Sequence, residues 1–266
     1  MRAWAASTAP QTMMAVDCSV VILNYNNREV LRRGLGALRD LAALLETARL
    51  RPDAAVVVPM KVDVQDRPMY TYHVPSPRNL DIAFFLVTEL SLIEIGRAVK
   101  RALRWGEIVP HDGADVVEIP YIGGGVMLVR HSAINAVGPL DGNIFFFGED
   151  FDWCYRFRLA GWKILYVPAV RVISGYAVNA MRSKRWSLVA LQSRRYLFEK
   201  HVGRRFLPVY ETIALFGLAP KLAYYALQDL RGRRQRDLPT GQWFRSAVAC
   251  ILRDGARPPL RQAHDR

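Results

Sequence analysis

Two short runs, Ser19-Val20-Val21-Ile22-Leu23 and Val56-Val57-Val58-Pro59, are apolar without alternation and dominated by β-branched side chains. A strand with one wet face alternates polar and apolar residues, whereas an unbroken apolar run marks a strand covered on both faces, as in a parallel sheet. The first run is followed by a turn at Asn24, Asn26 and Asn27 and by a helical pattern over residues 29–38. Strand, turn and helix in that order point to an α/β chain, and such folds hold ligands at the C-terminal ends of their strands. Asn side chains in a turn also serve backbone geometry alone. Further strands are expected over residues 116–121 and 126–130, on either side of Gly123-Gly124-Gly125. Three glycines permit close backbone approach to a ligand, or equally a bulge or hairpin turn. A short helix over residues 132–137 should stop at Gly138-Pro139.

Chemistry concentrates in Phe145-Phe146-Phe147-Gly148-Glu149-Asp150-Phe151-Asp152-Trp153-Cys154-Tyr155-Arg156, where three acids crowd an aromatic stretch. Desolvation beside apolar bulk raises a carboxyl pKa and suits it to take a proton from a hydroxyl. The plainer reading is three acids in the first turn of a helix, where exposed N–H groups favour negative charge. That helix is expected to end at Gly161, with Trp153, Phe157 and Ala160 on one buried face and an Asp152–Arg156 pair on the exposed side.

The order Gly123-Gly124-Gly125-Val126-Met127-Leu128-Val129-Arg130, Val137-Gly138-Pro139-Leu140-Asp141, the acidic stretch, and Arg156-Phe157-Arg158-Leu159-Ala160-Gly161-Trp162-Lys163-Ile164-Leu165-Tyr166-Val167-Pro168 resembles the acceptor half of family 2 glycosyltransferases, particularly rhamnosyltransferase-like members. The opening strand through Asn26 and the segment Arg195-Tyr196-Leu197-Phe198-Glu199-Lys200-His201 extend the resemblance to roughly half the chain. It implies a GT-A-like, Rossmann-like mixed sheet flanked by helices, and inverting transfer of a sugar, rhamnose among the candidates, from a nucleotide donor to a lipid-linked or polysaccharide acceptor. Asp150 matches the family's catalytic base, with Glu149 its companion. Asn24, Tyr25, Asn26, Gly124 and Gly125 fall at nucleotide and sugar positions, and Phe146, Phe147, Trp153 and Arg156 at the acceptor site.

Relative to that family the chain departs in its donor half. Residues 31–39 run almost directly into Ala42-Ala43-Leu44-Leu45-Glu46 and the second apolar strand, without the Asp-rich metal motif, and residues 170–176 contain no His. The family uses Mg²⁺ or Mn²⁺, so the expectation here is a truncated nucleotide-binding half, doubtful metal binding and no metal ligands. A departing pyrophosphate needs cationic stabilisation, and Arg130, Arg156 and Arg158 are the substitutes the sequence offers. A non-catalytic relative that binds acceptor or partner is the alternative.

The formal charge of +13 and a pI near 10.0 favour anionic partners. Arg97, Lys100, Arg101 and Arg104 form a basic face, either a docking stripe for anionic lipid or simply solvated, at the end of a helical stretch over residues 80–105. From Met181 onward basic residues interleave with aromatics, yet no nucleic-acid-binding motif accompanies them. Three widely spaced cysteines, Cys18, Cys154 and Cys250, favour a reducing compartment. An apolar helix over residues 207–227, with Glu211, Lys221, Pro208 and Pro220, reads as surface-lying, and the following Arg231-Gly232-Arg233-Arg234-Gln235-Arg236 as an anchor for anionic lipid. A second amphipathic element is expected over residues 243–252. The organisation expected is a loose extension over 1–16, an incomplete transferase domain over 17–205 and a basic, membrane-peripheral helical tail over 206–266, on the cytoplasmic face of the plasma membrane. Nucleic acid is not an expected partner.

Overall fold

The computed structural model describes residues 17–22, 41–63, 65–68, 115–122, 126–144, 147–173, 184–232 and 238–252. In chain order the elements are β1 (Cys18–Ile22), α1 (Leu41–Leu50), β2 (Ala54–Val62), β3 (Val117–Glu118), β4 (Val126–Arg130), α2 (His131–Val137), α3 (Glu149–Leu159), β5 (Lys163–Ile173), α4 (Lys184–Val202), a 3-10 turn (Arg204–Phe206), α5 (Leu207–Leu230) and α6 (Thr240–Leu252). The expected helical stretches over 29–38 and 80–105, with the Arg97–Arg104 face, lie outside the described residues.

The five strands are ordered β1-β4-β2-β5-β3. Only β2 and β5 pair in parallel; β1 with β4, β4 with β2, and β3 with β5 are antiparallel. The sheet is therefore mixed and flanked by helices, compatible with a Rossmann-like glycosyltransferase fold. The expectation of a parallel strand at β1 is corrected in part. It runs in the direction of β2 and β5, but its partner among the described residues is the antiparallel β4. The strand expected over 116–121 shrinks to Val117–Glu118, because Pro120 has no N–H to continue the ladder.

The unbroken apolar run of β2 is buried on both faces, as its composition requires. Ala55, Met60, Met127, Val129, Ile164 and Tyr166 join Trp153, Cys154 and Phe157 of α3 on one side. Val57, Leu128, Leu165 and Val167 meet Leu44 and Ala48 of α1 on the other. The β2–β5 register breaks between Pro59 and Met60, where Met60 pairs with Arg171 instead of the residue after Val167. A proline cannot donate to the ladder, so a bulge beside Pro59 and Pro168 is the expected accommodation. A third core joins α4, α5 and α6 through Leu188, Leu191, Phe198, Tyr210, Leu218, Trp243 and Ala247, and it takes in Ile144 and Phe151. Helix α3 thus stands between the sheet and the C-terminal helices.

Candidate active site

The acidic stretch does begin a helix, with Glu149, Asp150 and Asp152 in its first turn. The chain enters through two consecutive left-handed residues, Phe147 (φ 65°) and Gly148 (φ 105°). The backbone angle of Gly148 favours glycine, and a Cβ there would sit 2.5 Å from Leu197 Cδ1 of α4, so that a larger residue would also displace this leucine. A non-glycine residue such as Phe147 in that region costs of order 1 kcal/mol, and such strain concentrates where a side chain must be aimed.

The three acids have different surroundings. Asp152 is fully buried, and its oxygens accept from Arg156 Nε (2.8 Å), Lys200 Nζ (2.7 Å) and His201 Nε2 (2.8 Å). Burial pushes its carboxyl upward, but the His201 and Lys200 hydrogen bonds outweigh that and leave its pKa lowered. The expected Asp152–Arg156 pair therefore forms, but on the inner side of the helix and not the exposed one. Ala160, expected on the buried face with Trp153 and Phe157, is exposed, because the helix ends at Leu159.

Asp150 is 8% exposed. Its Oδ1 accepts from the Phe151 backbone N–H at 2.8 Å and from the Tyr121 hydroxyl at 3.4 Å. Glu149 is partly buried, and its Oε2, shut off from solvent, has no hydrogen-bond partner among the described residues. Desolvation, then the charge of Asp150, pushes its pKa up to about 7. Tyr121 is pushed well above the usual phenol range by burial and by the Asp150 charge. Lys61, near the end of β2, is in electrostatic reach of Asp150 and is lowered to about 8 by burial despite that favourable charge. Cys154, one turn along α3, is pushed up to about 12 by burial and is an inert thiol. The arrangement is a desolvated carboxyl pair with the Tyr121 hydroxyl on Asp150 and Lys61 in electrostatic reach of it, suited to holding and moving a proton.

Lys61 was not singled out from sequence. The signal was available: it is the one charged residue in the otherwise apolar run Ala54–Val62. Lys200 and His201 belonged to the resemblance but carried no assigned role until their contact with Asp152 was visible.

The remaining expected site residues divide. Asn24, Tyr25, Asn26, Gly124, Gly125 and Phe146 lie outside the described residues. Phe147 stands two residues before Glu149, separated from it by Gly148. Trp153 is 3% exposed and its Nε1 donates to the Gly138 carbonyl at 2.9 Å. Arg156 donates to the carbonyls of Val137 (2.6 Å) and Pro139 (2.7 Å) as well as to Asp152. Both side chains fasten the α2–α3 loop. Arg130 likewise donates to the carbonyls of Ala54 (2.9 Å), Arg51 (3.2 Å) and Ala48, closing the end of α1. Two of the three arginines offered as stand-ins for a metal are thus committed to backbone carbonyls.

As for the Mg²⁺ or Mn²⁺ that the resemblance implies, no three His, Cys, Asp or Glu side chains converge among the described residues. Glu149 and Asp150 alone do not make the oxygen-rich set a hard divalent ion takes, and Lys61 is already in electrostatic reach of Asp150. The described residues do not fit the ion.

No protein-family model matches the chain. Two Mycobacterium tuberculosis proteins named N-acetylglucosaminyl-diphospho-decaprenol L-rhamnosyltransferase are each 31% identical to it over 122 residues, 45% of this chain and 39% of theirs. Rhamnosyltransferase WbbL of Escherichia coli is 37% identical over 89 residues, 32% of this chain and 33% of its own. These partial relatives support a glycosyltransferase. The chain spans well under half the length of the curated relatives it matches, and the likeness to rhamnosyltransferases is a likeness over that part.

Proposed function

We propose that this protein transfers a sugar, rhamnose or a close analogue, from a nucleotide donor to a hydroxyl of a lipid-linked or polysaccharide acceptor, on the cytoplasmic face of the membrane. In this reading Asp150 accepts the proton as the acceptor O–H breaks and the new C–O bond forms at the sugar's anomeric carbon. The nucleoside diphosphate departs with the bonding pair. Glu149, its pKa raised to about 7, shares the proton or holds the acceptor hydroxyl, and Lys61 balances the charge of Asp150. The observation that carries the reading is the Glu149 carboxyl: desolvated, beside a second carboxylate, with a buried oxygen that lacks a hydrogen-bond partner among the described residues. Buried polar atoms are nearly always satisfied, and one left open at a strained helix entry suits a substrate hydroxyl. The names of the partial relatives support the same chemistry. The shortened donor half is part of this proposal and implies weak donor binding.

The test is turnover of nucleotide-rhamnose donors by the full chain. Asp150→Asn should lower it by roughly 10²–10⁴-fold, the usual contribution of a general base, with donor affinity by calorimetry unchanged. Equal turnover in variant and parent ends the assignment. The second reading, a non-catalytic acceptor-binding relative, draws on Arg130 and Arg156 being tied to carbonyls; it predicts glycan binding with no saturable nucleotide-sugar binding.

A further inference from the structure

Helix α5 is apolar on the side facing away from the protein as well as on the side that packs. Its buried residues Leu207, Tyr210, Ala214, Gly217, Leu218 and Tyr225 meet the third core, between α4 and α6. Its two acids lie beside that packed face and are both taken up by α4. Glu211 Oε1 accepts from Arg195 Nη2 at 2.9 Å, and Asp229 Oδ1 from Lys184 Nζ at 3.3 Å. Trp243, fully buried, stands edge-on to Tyr225 with ring centroids 4.8 Å apart.

On the opposite side Val209, Phe216, Tyr224, Leu227 and Leu230 are 52%, 70%, 50%, 45% and 84% exposed. At about 100° per residue all five fall within roughly 60° of one line along the helix. Thr212, Pro220 and Ala223 fill the same line, so no charge interrupts it over about 32 Å at 1.5 Å per residue. Cations stand at both ends. Arg204 and Arg205 are exposed at the start, the latter stacked over Phe206 at 4.7 Å, and Arg231 is exposed at the close, with Arg233, Arg234 and Arg236 next in sequence.

We propose that this face of α5 lies in the headgroup boundary of an anionic bilayer, parallel to its plane, with Arg204 and Arg205 at one end and Arg231 at the other on lipid phosphates. The run Arg204–Leu230 is long and apolar enough to cross a membrane. Its opposite face, however, is built into the protein with two ion pairs, so a crossing would strip that core. A second copy of this chain is a poor occupant. Whether two α5 helices meet parallel or antiparallel, Arg204, Arg205 and Arg231 face one another, and no acid lies on the stripe to offset them. An anionic surface complements both ends at once. The proposal stands independently of the transferase reading.

Flotation of the full chain with vesicles tests it. Binding is expected to phosphatidylcholine mixed with phosphatidylglycerol and to fall steeply with added salt. Arg204→Gln and Arg205→Gln should each weaken it about five-fold. Phe216→Ser with Leu227→Ser should weaken it at least about ten-fold, with far-UV circular dichroism unchanged because neither side chain is buried. The proposal is overturned by equal binding of parent and stripe variant, by equal binding to pure phosphatidylcholine, or by parent protein that stays in membranes after alkaline and high-salt washing. Light scattering that shows the stripe variant converting a dimer to a monomer with vesicle binding intact would overturn it too.

Discussion

Glu149 and Asp152 are both acids in the first turn of α3, and their environments drive them in opposite directions. Asp152 is surrounded by Arg156, Lys200 and His201 and stays ionised; Glu149 meets desolvation and the charge of a second carboxylate. The consequence for stability has a definite sign. With a folded pKa near 7 against an ordinary 4.5, Glu149 holds its proton in the folded state where the unfolded chain has released it. The folded state then binds more protons at this site, so the contribution of Glu149 to stability is most favourable below about 4.5 and falls as pH rises to about 7. Glu149→Gln, which keeps shape and removes the charge, should therefore raise stability at pH 8 by on the order of 2 kcal/mol and flatten the profile across that window. Urea unfolding of parent and variant at pH 4.5 and pH 8 measures it, and an equal difference at both would mean that Glu149 is solvated.

Helix α3 owes its position to elements distant in sequence. Trp153 and Phe157 seal it to the sheet, Phe151 reaches into the helical core, and Asp152 ties it to Lys200 and His201 at the end of α4. Lys200 also bridges to Asp141 at 2.6 Å, whose carboxyl it and the Asn143 N–H hold well below the usual range despite partial burial. One lysine thus locks the loop before α3 and the first turn of α3 together. Asp152→Ala leaves Arg156 and His201 without their anion and Lys200 with Asp141 alone. Removing one partner of a buried ionic cluster costs about 3–5 kcal/mol, so thermal unfolding should shift down markedly. Lys200→Met should cost less, since Arg156 and His201 still satisfy Asp152. The reverse order would mean that the Asp141 contact dominates. The local pattern of α3 was legible: acids at its start and Gly161 past its end follow from rules acting within a few residues. Its inner and outer sides were not. An i, i+4 acid–base pair looks the same on either side until a neighbouring helix covers it.

The C-terminal helices are joined to the transferase-like part by a common core, so the tail expected over 206–266 is in its described portion a packed layer over α3. Trp243 shows the coupling: fully buried, it donates from Nε1 to Ser187 Oγ at 2.8 Å and supports the α4–α5–α6 contact. Trp243→Ala should cost about 3–5 kcal/mol, a large share of the roughly 5–15 kcal/mol that holds a domain folded. Hydrogen exchange in β2 should accelerate along with exchange in α4, because Phe151 belongs to the core that Trp243 fills. Loss of protection confined to α4–α6 would show that the two layers unfold separately.

Across the whole molecule, composition and periodicity were enough for an α/β chain, for the strands β2 and β4, for the acidic helix and for the apolar α5, whereas β5 entered only through the family resemblance. Each of the others rests on the chain's own repeat: unbroken β-branched runs, carboxylates at a helix start, a long stretch without paired charges. Side-by-side placement rested on packing alone. Lys61 and Asp150 are far apart in sequence, and they come into electrostatic reach because β2 and β5 pair in parallel and α3 lies across them. The outward stripe of α5 exists for the same reason. Burial of an all-apolar helix is decided by which neighbours arrive, and α4 and α6 cover one side.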